Sequence, residues 1–320
     1  MLKWIITPSG EKISVEDAIN GALSEFYPMP YIMMCASERE WKGKPSTTQL
    51  INGTRLEFLR ILTPYAIDPD DQAFRIIGTR GHGKLENFAP PESFAELQMS
   101  EDEISGIADL LEKSGDEWVI TDYKTWGSYK VGLALGLEKK QRPKFDQDGN
   151  PEVYKSSGKW GKAGSQKTET YYEPNPDKVS IPETELQINR YRYAIEKAMG
   201  ITISKMKVFC IARDGGTFAA RNNGVFKNTF FIDIKELDPV HVQTYFTQKR
   251  DALLNALNDY ENSYTAKHGK SWQEGEPDDE LIKELAPPIC NKVENWDGRR
   301  CEKYCSVSEA CSKLGNPFLT

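Results

Sequence analysis

Residues 118–126 read WVITDYKTW, and this stretch decides how the rest of the chain is interpreted. Its β-branched and aromatic residues are typical of a buried strand. Asp122 and Lys124 interrupt the apolar run two residues apart, and alternate residues of a strand share one face. A strand that only fills a core has an apolar inner face. The pattern therefore predicts that one face of this strand serves a chemical purpose.

A second strand precedes this stretch and completes a hairpin. Residues 103–114, EISGIADLLEKS, are rich in branched apolar residues and end directly before Gly115-Asp116, a pair suited to a two-residue turn. If these two residues form the turn, Ser114 faces Glu117. The same register continues along both strands, so it also sets which of the inner residues lie opposite each other.

The hairpin register predicts that Asp109 lies directly opposite Asp122. Side chains in such positions have Cβ atoms roughly 5 Å apart, and like charges there are destabilising. Lys124 shares the face of Asp122 and supplies one positive charge. A divalent metal such as Mg²⁺ or Mn²⁺ would also compensate the two acids, because it takes carboxylate oxygens as ligands. The alternative is a surface hairpin in which Asp122 and Lys124 form an ordinary salt bridge.

The composition is typical of a globular protein without a membrane segment. The chain has 320 residues, 28% of them charged and 38% hydrophobic, which is enough for a substantial core. No window approaches the ~20 apolar residues of a membrane helix, and the first residues, MLKWIITPSGEK, make a poor signal peptide. We therefore expect a cytoplasmic protein with no membrane partner. A net charge of −7 argues against a surface that is basic throughout, but local nucleic-acid sites stay compatible with it.

The sequence pattern divides the chain into three segments. Residues 1–45 form an entry region, 46–285 a core with a basic insertion at 127–180, and 286–320 a cysteine-rich tail. The insertion mixes Gly, Ser, Lys and aromatic residues without a period, which predicts a long irregular loop. Apolar periodicity and capping signals predict the other elements. These are helices at about 15–26, 47–62 (capped by Ser46 or Thr47), 71–88, 182–199 (between Pro182 and Gly200) and 238–264, and strands within 103–126, 205–212 and 229–237.

Four short motifs, in this order, resemble those of a known nuclease family. They are Gly78-Thr79-Arg80-Gly81-His82, Gly106-Ile107-Ala108-Asp109, Asp122-Tyr123-Lys124 and Gln187-Ile188-Asn189-Arg190-Tyr191. Together they resemble the RecB-like branch of the PD-(D/E)XK nuclease superfamily, over roughly residues 46 to 215. The first acid, Asp109, is not preceded by Pro, and RecB-like members often vary at that position.

The resemblance implies both a fold and an activity. The fold would be α/β, with a central mixed β-sheet flanked by helices, as in the core of restriction endonucleases. The activity would be metal-dependent hydrolysis of DNA, by an exonuclease in recombination, repair or end processing. The implied roles are metal ligation of Mg²⁺ or Mn²⁺ by His82, Asp109, Asp122 and the Tyr123 carbonyl, assistance of the attacking water by Lys124, and positioning of the phosphate or of Lys124 by Gln187 and Tyr191. The sequence leaves open whether Glu96 or Glu103 adds a ligand.

The tail contains four closely spaced cysteines, Cys290, Cys301, Cys305 and Cys311. In a reducing compartment, such a group indicates a metal rather than disulfides, and four thiolates suit either tetrahedral Zn²⁺ or a 4Fe–4S cluster. The tail is similar to the iron–sulfur segment of RecB-like nucleases such as AddB and the nucleases of CRISPR adaptation. This resemblance implies a structural 4Fe–4S cluster, with structural Zn²⁺ as the alternative. Cys35 is the alternative to Cys290 as fourth ligand, and the shorter loop favours Cys290.

The insertion is the most basic part of the chain. Eight Lys and Arg residues between positions 139 and 167 face three acids, which gives a net charge of +5. Cations contact phosphates and aromatic rings stack on bases, so this composition suits single-stranded DNA, although a solvated mobile loop has the same composition. The expected DNA-binding residues are Lys139, Lys140, Arg142, Lys144, Lys155, Lys159, Trp160, Lys162 and Lys167.

Two other interpretations compete with a nuclease. One is a DNA-binding or assembly subunit that keeps the fold without turnover, and the other is a zinc-stapled scaffold whose hairpin acids are surface charges. The complete set of acids, lysine and histidine favours the enzyme. We expect DNA, single-stranded or with free ends, as the partner. Because the sequence has no G-x-x-x-x-G-K-[ST] motif, unwinding would need a separate helicase or recombination protein.

Overall fold

A computed structural model describes residues 1–37 and 40–319, apart from the side chains of Arg80 and His82. It confirms a mixed α/β protein. The chain forms two compact units. The first unit comprises Met1–Thr121, Glu185–Met206 and Lys235–Thr320, and the second comprises Asp122–Thr184 and Lys207–Ile234. The division into segments 1–45, 46–285 and 286–320 stays a prediction.

The strands form three sheets. Their hydrogen-bonded orders are β2-β1-β3, β10-β9-β6-β5-β4 and β7-β8. The pair β1–β3 is parallel, whereas β4–β5, β5–β6, β7–β8 and β9–β10 are antiparallel. The strands are β1 Leu2–Ile6, β2 Lys12–Ser14, β3 Tyr65–Ile67, β4 Phe94–Glu101, β5 Ile104–Ser114, β6 Glu117–Trp126, β7 Leu137–Pro143, β8 Thr168–Pro174, β9 Ile203–Ala212 and β10 Thr229–Asp233.

Several helices begin or end at residues that the sequence identifies as caps. Ser46 forms a capping box with Gln49, Asp238 accepts a hydrogen bond from the backbone of Val240, and Gly200 follows a helix with φ +65°. The helices are α1 Val15–Asp17, α2 Met29–Ala36, α3 Thr47–Ile51, α4 Thr54–Leu62, α5 Pro69–Glu86, α6 Ser128–Ala134, α7 Pro182–Met199, α8 Phe218–Asn222, α9 Pro239–His268, α10 Asp279–Leu285, α11 Arg299–Lys303 and α12 Ser308–Lys313.

The hairpin register is confirmed. The paired residues of β5 and β6 run from Leu110↔Thr121 to Ser114↔Glu117, and Gly115 has φ +67° in the turn between them. A left-handed conformation at this position suits glycine, which has no Cβ to clash. The next pair in the same register is Asp109 with Asp122. These two residues belong to different units, so their direct opposition stays a prediction.

The core of the first unit lies around α4 and α9. Helix α9 buries six residues at intervals of three, four and seven, which places them on one face. They are Val242, Phe246, Leu253, Leu257, Tyr260 and Tyr264. Phe58 of α4 meets Tyr260 of α9 edge to face, with ring centroids 6.3 Å apart. Cys290, Cys305 and Cys311 of the tail pack against this same cluster.

The prediction of an irregular loop at 127–180 is wrong for much of the segment. Helix α6 and the ladder of β7 with β8 occupy it, and Lys140 pairs across that ladder with Glu173 at 2.7 Å. This ladder has no continuous apolar face, because cross-strand charge pairs stabilise it. Apolar periodicity therefore does not reveal it.

Three further predictions need correction. The helix expected at 15–26 ends as α1 at Asp17 and continues as a wider turn, because Gly21 has φ +106°. The helix expected at 47–62 is broken at Asn52, which has extended ψ, into α3 and α4. Strand β4 lies before the β-rich block that the sequence predicts. Among the described helices, none is long and apolar enough to cross a membrane.

Candidate functional site

Strand β6 carries a buried ion pair in the second unit. The carboxylate of Asp122 is only 2% exposed, and its Oδ2 lies 2.7 Å from Nζ of Lys124, whose side chain is 22% exposed. Period two along the strand puts both side chains on one face, as the sequence predicts. A buried carboxylate is costly unless a cation or hydrogen bonds compensate it. Lys124 therefore supplies the charge that makes Asp122 tolerable in this position.

The ion pair leaves the hydrogen-bonding capacity of Asp122 incompletely used. Within the described part of the chain, its buried Oδ2 accepts no hydrogen bond of good geometry, although Lys124 lies at contact distance. The short distance and the missing hydrogen bond agree if the ammonium of Lys124 compensates the charge of Asp122 while none of its N–H bonds points along a lone pair of Oδ2. Buried polar atoms of this kind need an explanation, and one common explanation is a bound ion. The carboxylate can accept a further cation.

The other side of β6 is apolar. Tyr123 packs edge to face on Phe209, with ring centroids 6.3 Å apart, and Phe209 contacts Phe231 at 5.1 Å. Cys210 follows Phe209 in β9 and therefore lies on the opposite face, where Lys124 acts on it; burial raises the pKa of its thiol to about 11, so this cysteine is neutral near pH 7 and acts as a small apolar residue. This packing fixes the strand that carries Asp122.

In the first unit, Asp109 lies in β5 beside an unusual residue of β4. The pairs Ala95↔Leu110 and Leu97↔Ala108 place Glu96 opposite Asp109 in the ladder. Glu96 has φ +47°, a left-handed conformation that costs energy for a residue with a side chain. Burial, and then the charge of Glu86, raises the pKa of Glu96. Of the two extra acids that the sequence left open, Glu96 lies in the strand paired with that of Asp109, whereas Glu103 lies in the turn between the two strands.

Helix α7 places Gln187 and Tyr191 on one face, as their spacing predicts. Nε2 of Gln187 donates to the hydroxyl of Tyr191 at 2.9 Å. Tyr191 is buried and packs closely on Gly106 of β5. A Cβ built on Gly106 would lie 2.9 Å from Cε1 of Tyr191 and 3.1 Å from Oγ1 of Thr47. Any side chain at position 106 would displace Tyr191. Close packing against Tyr191 therefore explains why a glycine stands three residues before Asp109.

The histidine expected to bind metal is not fully described. His82 belongs to α5, where the sequence places it, but its side chain lies outside the described residues. Among the described side chains, no group of three or more His, Cys, Asp or Glu residues could hold a metal ion. Asp109 belongs to the first unit, whereas Asp122, Tyr123 and Lys124 belong to the second.

The four tail cysteines lie in one electrostatic neighbourhood in the first unit. Nδ2 of the buried Asn316 lies 3.2 Å from Sγ of Cys311 and 3.8 Å from Sγ of Cys301. Burial raises the pKa of Cys305 to about 11, and the other three thiols add to the effect. Burial also raises the pKa of Cys290, with smaller contributions from Glu294, Cys311 and Cys301.

The alternative ligand, Cys35, has different neighbours. Burial raises the pKa of its thiol, while Arg75 and Tyr31 lower it. The groups that act on Cys290 include two tail cysteines, and those that act on Cys35 include none in the described part of the chain. This difference favours Cys290 as the fourth member of the group.

Helix α4 holds the tail in place. A Cβ on Gly53 would lie 2.2 Å from Sγ of Cys290, so the absence of a side chain is what admits the thiol. The buried guanidinium of Arg55 donates to the carbonyls of Pro287 at 3.2 Å and Leu314 at 3.4 Å, one on each side of the cysteines. The tail is therefore joined to the first unit by both packing and hydrogen bonds.

Four of the eight basic residues between positions 139 and 167 are paired with acids. The pairs are Lys140–Glu173 at 2.7 Å, Arg142–Glu169 at 2.7 Å, Lys144–Glu152 at 2.8 Å and Lys167–Glu152 at 3.2 Å. Glu169 and Glu173 lie beyond Lys167, so the net charge of +5 between positions 139 and 167 overstates the available positive charge. For Lys139, Lys155, Lys159 and Lys162, no ion pair is found among the described residues.

Three of the remaining cations, Lys155, Lys159 and Lys162, lie close in sequence to an exposed tryptophan. Trp160 is 80% exposed, and Nζ of Lys159 lies 5.6 Å from the centre of its ring. We call residues 155–163, KSSGKWGKA, the insertion tip. Because it combines three lysines with an accessible ring, the tip fits nucleic acid better than the paired strands β7 and β8 do.

Comparisons with known proteins give no family. No family model and no curated protein matches the chain. Twelve chains match by structural comparison. One is the crystal structure of SSO0001, with a TM-score of 0.38 and 11% identity over 93% of this chain and 99% of that chain. Similarity at this level carries no argument about function, so the residues of the site have to carry it.

Proposed function

We propose that this protein is a metal-dependent DNA nuclease with a PD-(D/E)XK core of the RecB-like type. The observation that carries the proposal is the buried Asp122–Lys124 pair, with Oδ2 and Nζ 2.7 Å apart and the carboxylate only 2% exposed. A structural salt bridge gains nothing from such burial, because desolvation of the two charges offsets their attraction. A catalytic carboxylate and lysine need to be held in a dry place.

The donor types suit a hard divalent cation by their chemistry, although the described side chains do not themselves form a group of three that could hold one. Asp109, Asp122, the carbonyl of Tyr123 and His82 would hold Mg²⁺ or Mn²⁺, and Glu96 is a further carboxylate candidate. The buried Oδ2 of Asp122 supports this, because it accepts no well-aligned hydrogen bond within the described residues. A metal bound by these groups lowers the pKa of its water and stabilises charge on a phosphate.

The protein groups beside the metal ligands would position the reactants. Lys124 would orient the attacking water and stabilise the developing negative charge on the phosphate. The hydroxyl of Tyr191, which receives the hydrogen bond of Gln187, would position the phosphate or Lys124. This hydrogen bond fixes the tyrosine hydroxyl, which would otherwise rotate freely.

The cysteine tail would bind a structural metal centre, a 4Fe–4S cluster or, as the alternative, Zn²⁺. The proposal rests on the contact of one amide, that of Asn316, with both Cys311 and Cys301, and on the attachment of the tail at Gly53 and Arg55, at the start of α4. Bound metal would stabilise the thiolate forms and lower the raised pKa values of these cysteines. The centre would fasten the end of the chain to the nuclease core.

The test is digestion of end-labelled DNA. Wild-type protein is incubated with Mn²⁺ and with 5′- or 3′-labelled single- and double-stranded DNA, alongside Lys124→Ala and the exposed-lysine control Lys283→Ala. We expect cleavage by the wild type and by Lys283→Ala, and a loss of at least about a hundredfold in Lys124→Ala. Equal circular dichroism spectra would show that folding is intact.

A DNA-binding subunit without turnover is the second candidate. The insertion tip favours it, since the exposed Trp160 and its neighbouring lysines would bind nucleic acid whether or not cleavage follows. Binding of DNA by folded, metal-loaded protein with no cleavage of any substrate would select this candidate and refute the enzyme. Cleavage that is equal in wild type and Lys124→Ala would refute the assigned role of Lys124.

A further inference from the structure

The second unit contains a cavity of about 460 Å³ that the proposed site does not use. It is lined by residues of α6, of the turn after it, of β7 and β8, and of the end of α8. Its volume lies within the range of small-molecule and cofactor pockets. Only Gly127 separates α6 from β6, the strand that carries Asp122 and Lys124.

The lining combines aromatic, cationic and amide residues with one acid, Glu138, whose carboxylate lies 3.9 Å from Nζ of Lys140. Tyr129 is 64% exposed at the cavity, so its ring is available to a ligand. Lys139 and Lys178 contribute two ammonium groups, and no ion pair engages either of them within the described part of the chain. Asn223 contributes an amide. A ring, two cations and an amide are the groups that recognise a base together with its phosphate.

The polar wall of the cavity is held in place before any ligand arrives. Nδ2 of Asn223 donates to Oγ of Ser128 at 2.8 Å, and this hydroxyl donates to Oδ2 of Asp214 at 2.6 Å. The backbone N–H of Ser128 also donates to Oδ1 of Asp214 at 2.7 Å. The hydrogen bond from the Ser128 hydroxyl is the main cause that lowers the pKa of Asp214, so the anion stays charged and keeps the chain of bonds intact.

The aromatic wall is fixed as well. The hydroxyl of Tyr172 donates to the carbonyl of Asn222. A Cβ on Gly224 would lie 2.5 Å from the ring of Tyr172, so the glycine lets this ring pack directly on the backbone. Phe226 contacts the same ring edge to face at 6.4 Å. Preorganisation of this kind lowers the entropic cost of binding.

We propose that this cavity binds one unpaired nucleotide of the DNA strand, with the base on Tyr129 and the flanking phosphates at Lys139 and Lys178. This inference rests on the proposed nuclease function and specifies its substrate as single-stranded DNA or an unpaired end. A base inside a duplex has both faces stacked on its neighbours, so its ring cannot lie on Tyr129 without being extruded. A single strand offers base faces at no such cost.

The test measures binding without added divalent metal, so that no cleavage occurs. Fluorescence anisotropy follows a labelled ten-nucleotide single strand and a labelled duplex with wild type, Tyr129→Ala and Lys178→Ala. Phe88→Ala and Lys283→Ala are controls, because Phe88 is an 84% exposed aromatic residue of the first unit and Lys283 an exposed lysine there. A single strand that carries 2-aminopurine reports stacking through fluorescence quenching.

We expect Tyr129→Ala to weaken single-strand binding about tenfold and to reduce the quenching, since base stacking on an aromatic ring is lost. Lys178→Ala should reduce the slope of log affinity against log salt by about 0.7, one phosphate contact. Both controls should bind like wild type, and Tyr129→Ala should bind the duplex like wild type. Unchanged single-strand affinity and quenching in Tyr129→Ala, or an equal loss for the duplex, would overturn the proposal.

The outcomes separate this inference from the proposed function. If wild type cleaves DNA but Tyr129→Ala binds single strands normally, the cavity assignment fails and the nuclease stands. If single strands bind through Tyr129 but no metal supports cleavage, the nuclease fails and the cavity assignment stands. A wild type that binds no single strand refutes the cavity assignment irrespective of cleavage.

Discussion

Burial of the Asp122 carboxylate costs free energy, and the ammonium of Lys124, two residues further along β6, offsets this cost. An exposed ion pair contributes roughly 0–1 kcal/mol, whereas loss of one partner from a buried pair costs about 3–5 kcal/mol. At 2% exposure, Asp122 belongs to the buried class, so a solvent-exposed salt bridge on a surface hairpin does not describe it. The lysine has to stay close to the carboxylate unless another cation replaces it.

Gly53 is a second residue whose identity follows from one contact. A Cβ there would lie 2.2 Å from Sγ and 3.0 Å from Cβ of Cys290. We predict that Gly53→Ala lowers the free energy of unfolding by about 2 kcal/mol through overpacking, and that it lowers the iron or zinc content of purified protein by displacing Cys290. Urea unfolding and elemental analysis of anaerobically purified protein measure the two effects. In the wild type, iron and sulfide near four per chain would identify the cluster, and stoichiometric zinc without visible absorption would identify the alternative.

Gly78→Ala is the matched control for that substitution. Gly78 lies inside α5, and a Cβ there would meet nothing within 4 Å. Alanine is favoured over glycine in a helix interior by about 1 kcal/mol, so this variant should be more stable than wild type. If both glycine variants changed stability in the same direction, steric contact with Cys290 would not be the reason for Gly53.

At the scale of elements, the ladder of β7 and β8 shows how charge can replace apolar burial. Lys140–Glu173 and Arg142–Glu169 each join the two strands at 2.7 Å. Their partners lie about thirty residues apart in sequence, so the pattern of either strand alone does not reveal the pairing. The hairpin of β5 and β6 is different, because its turn residues and apolar alternation are local signals.

The same pairing predicts which basic residues would contact DNA in the proposed nuclease. We expect the triple variant of Lys155, Lys159 and Lys162 to alanine to reduce the slope of log affinity against log salt by up to about 2 for single-stranded DNA, because these lysines can release counterions from phosphates. The triple variant of Lys140, Arg142 and Lys144 to alanine should change the slope less, since acids already neutralise these side chains. Salt titrations of fluorescence anisotropy measure both. Equal slopes for the two triple variants would contradict the assignment of the tip.

Helix α7 and strand β4 mark the limits of prediction from sequence. Pro182 and Gly200 bound α7, and both signals arise within the helix itself, so the sequence predicts it correctly. Strand β4 contains Glu96 with φ +47°, and its pairing with β5 decides its conformation. The sequence leaves Glu96 and Glu103 open as ligands, and only that pairing places Glu96 near Asp109 in the ladder.

At the scale of the molecule, one acid connects two helices and gives stability a pH dependence. Oδ2 of Asp278 lies 2.8 Å from both Nζ of Lys267 and Nε2 of His268 at the end of α9, and the same side chain caps α10. The hydrogen bond from Lys267 is the main cause that lowers the pKa of Asp278 in the folded protein. The stabilisation is therefore complete above the ordinary Asp pKa of about 4 and is lost as the pH falls below it.

We predict that Asp278→Asn is less stable than wild type at pH 7 and that the difference shrinks as the pH falls from about 4 toward 2. The substitution removes the charge that Lys267 and His268 attract but keeps an oxygen for the cap. Urea unfolding at several pH values measures the difference. Asp148→Asn, a change at an exposed acid, should follow the wild type at every pH. A constant difference across the range would show that Asp278 acts through the cap and not through its charge.

How much of the candidate site the sequence predicts depends on how local its signals are. The common face of Asp122 and Lys124, the hairpin register and the pairing of Gln187 with Tyr191 follow from periods of two and of one helical turn. The cavity beside α6 and the neutralised lysines of the insertion arise from residues distant in sequence. Tertiary packing creates these features, and a single sequence carries no direct signal for them.

Direct binding of Mn²⁺ tests whether the buried carboxylate of β6 is a metal ligand. Isothermal titration of wild type, Asp122→Asn and the exposed-acid control Asp148→Asn compares the affinities. We predict that the wild type and Asp148→Asn bind Mn²⁺ equally and that Asp122→Asn binds it at least about tenfold more weakly, because a neutral amide replaces a charged oxygen ligand. Equal affinity of Asp122→Asn and wild type would contradict the metal site and, with it, the proposed nuclease mechanism.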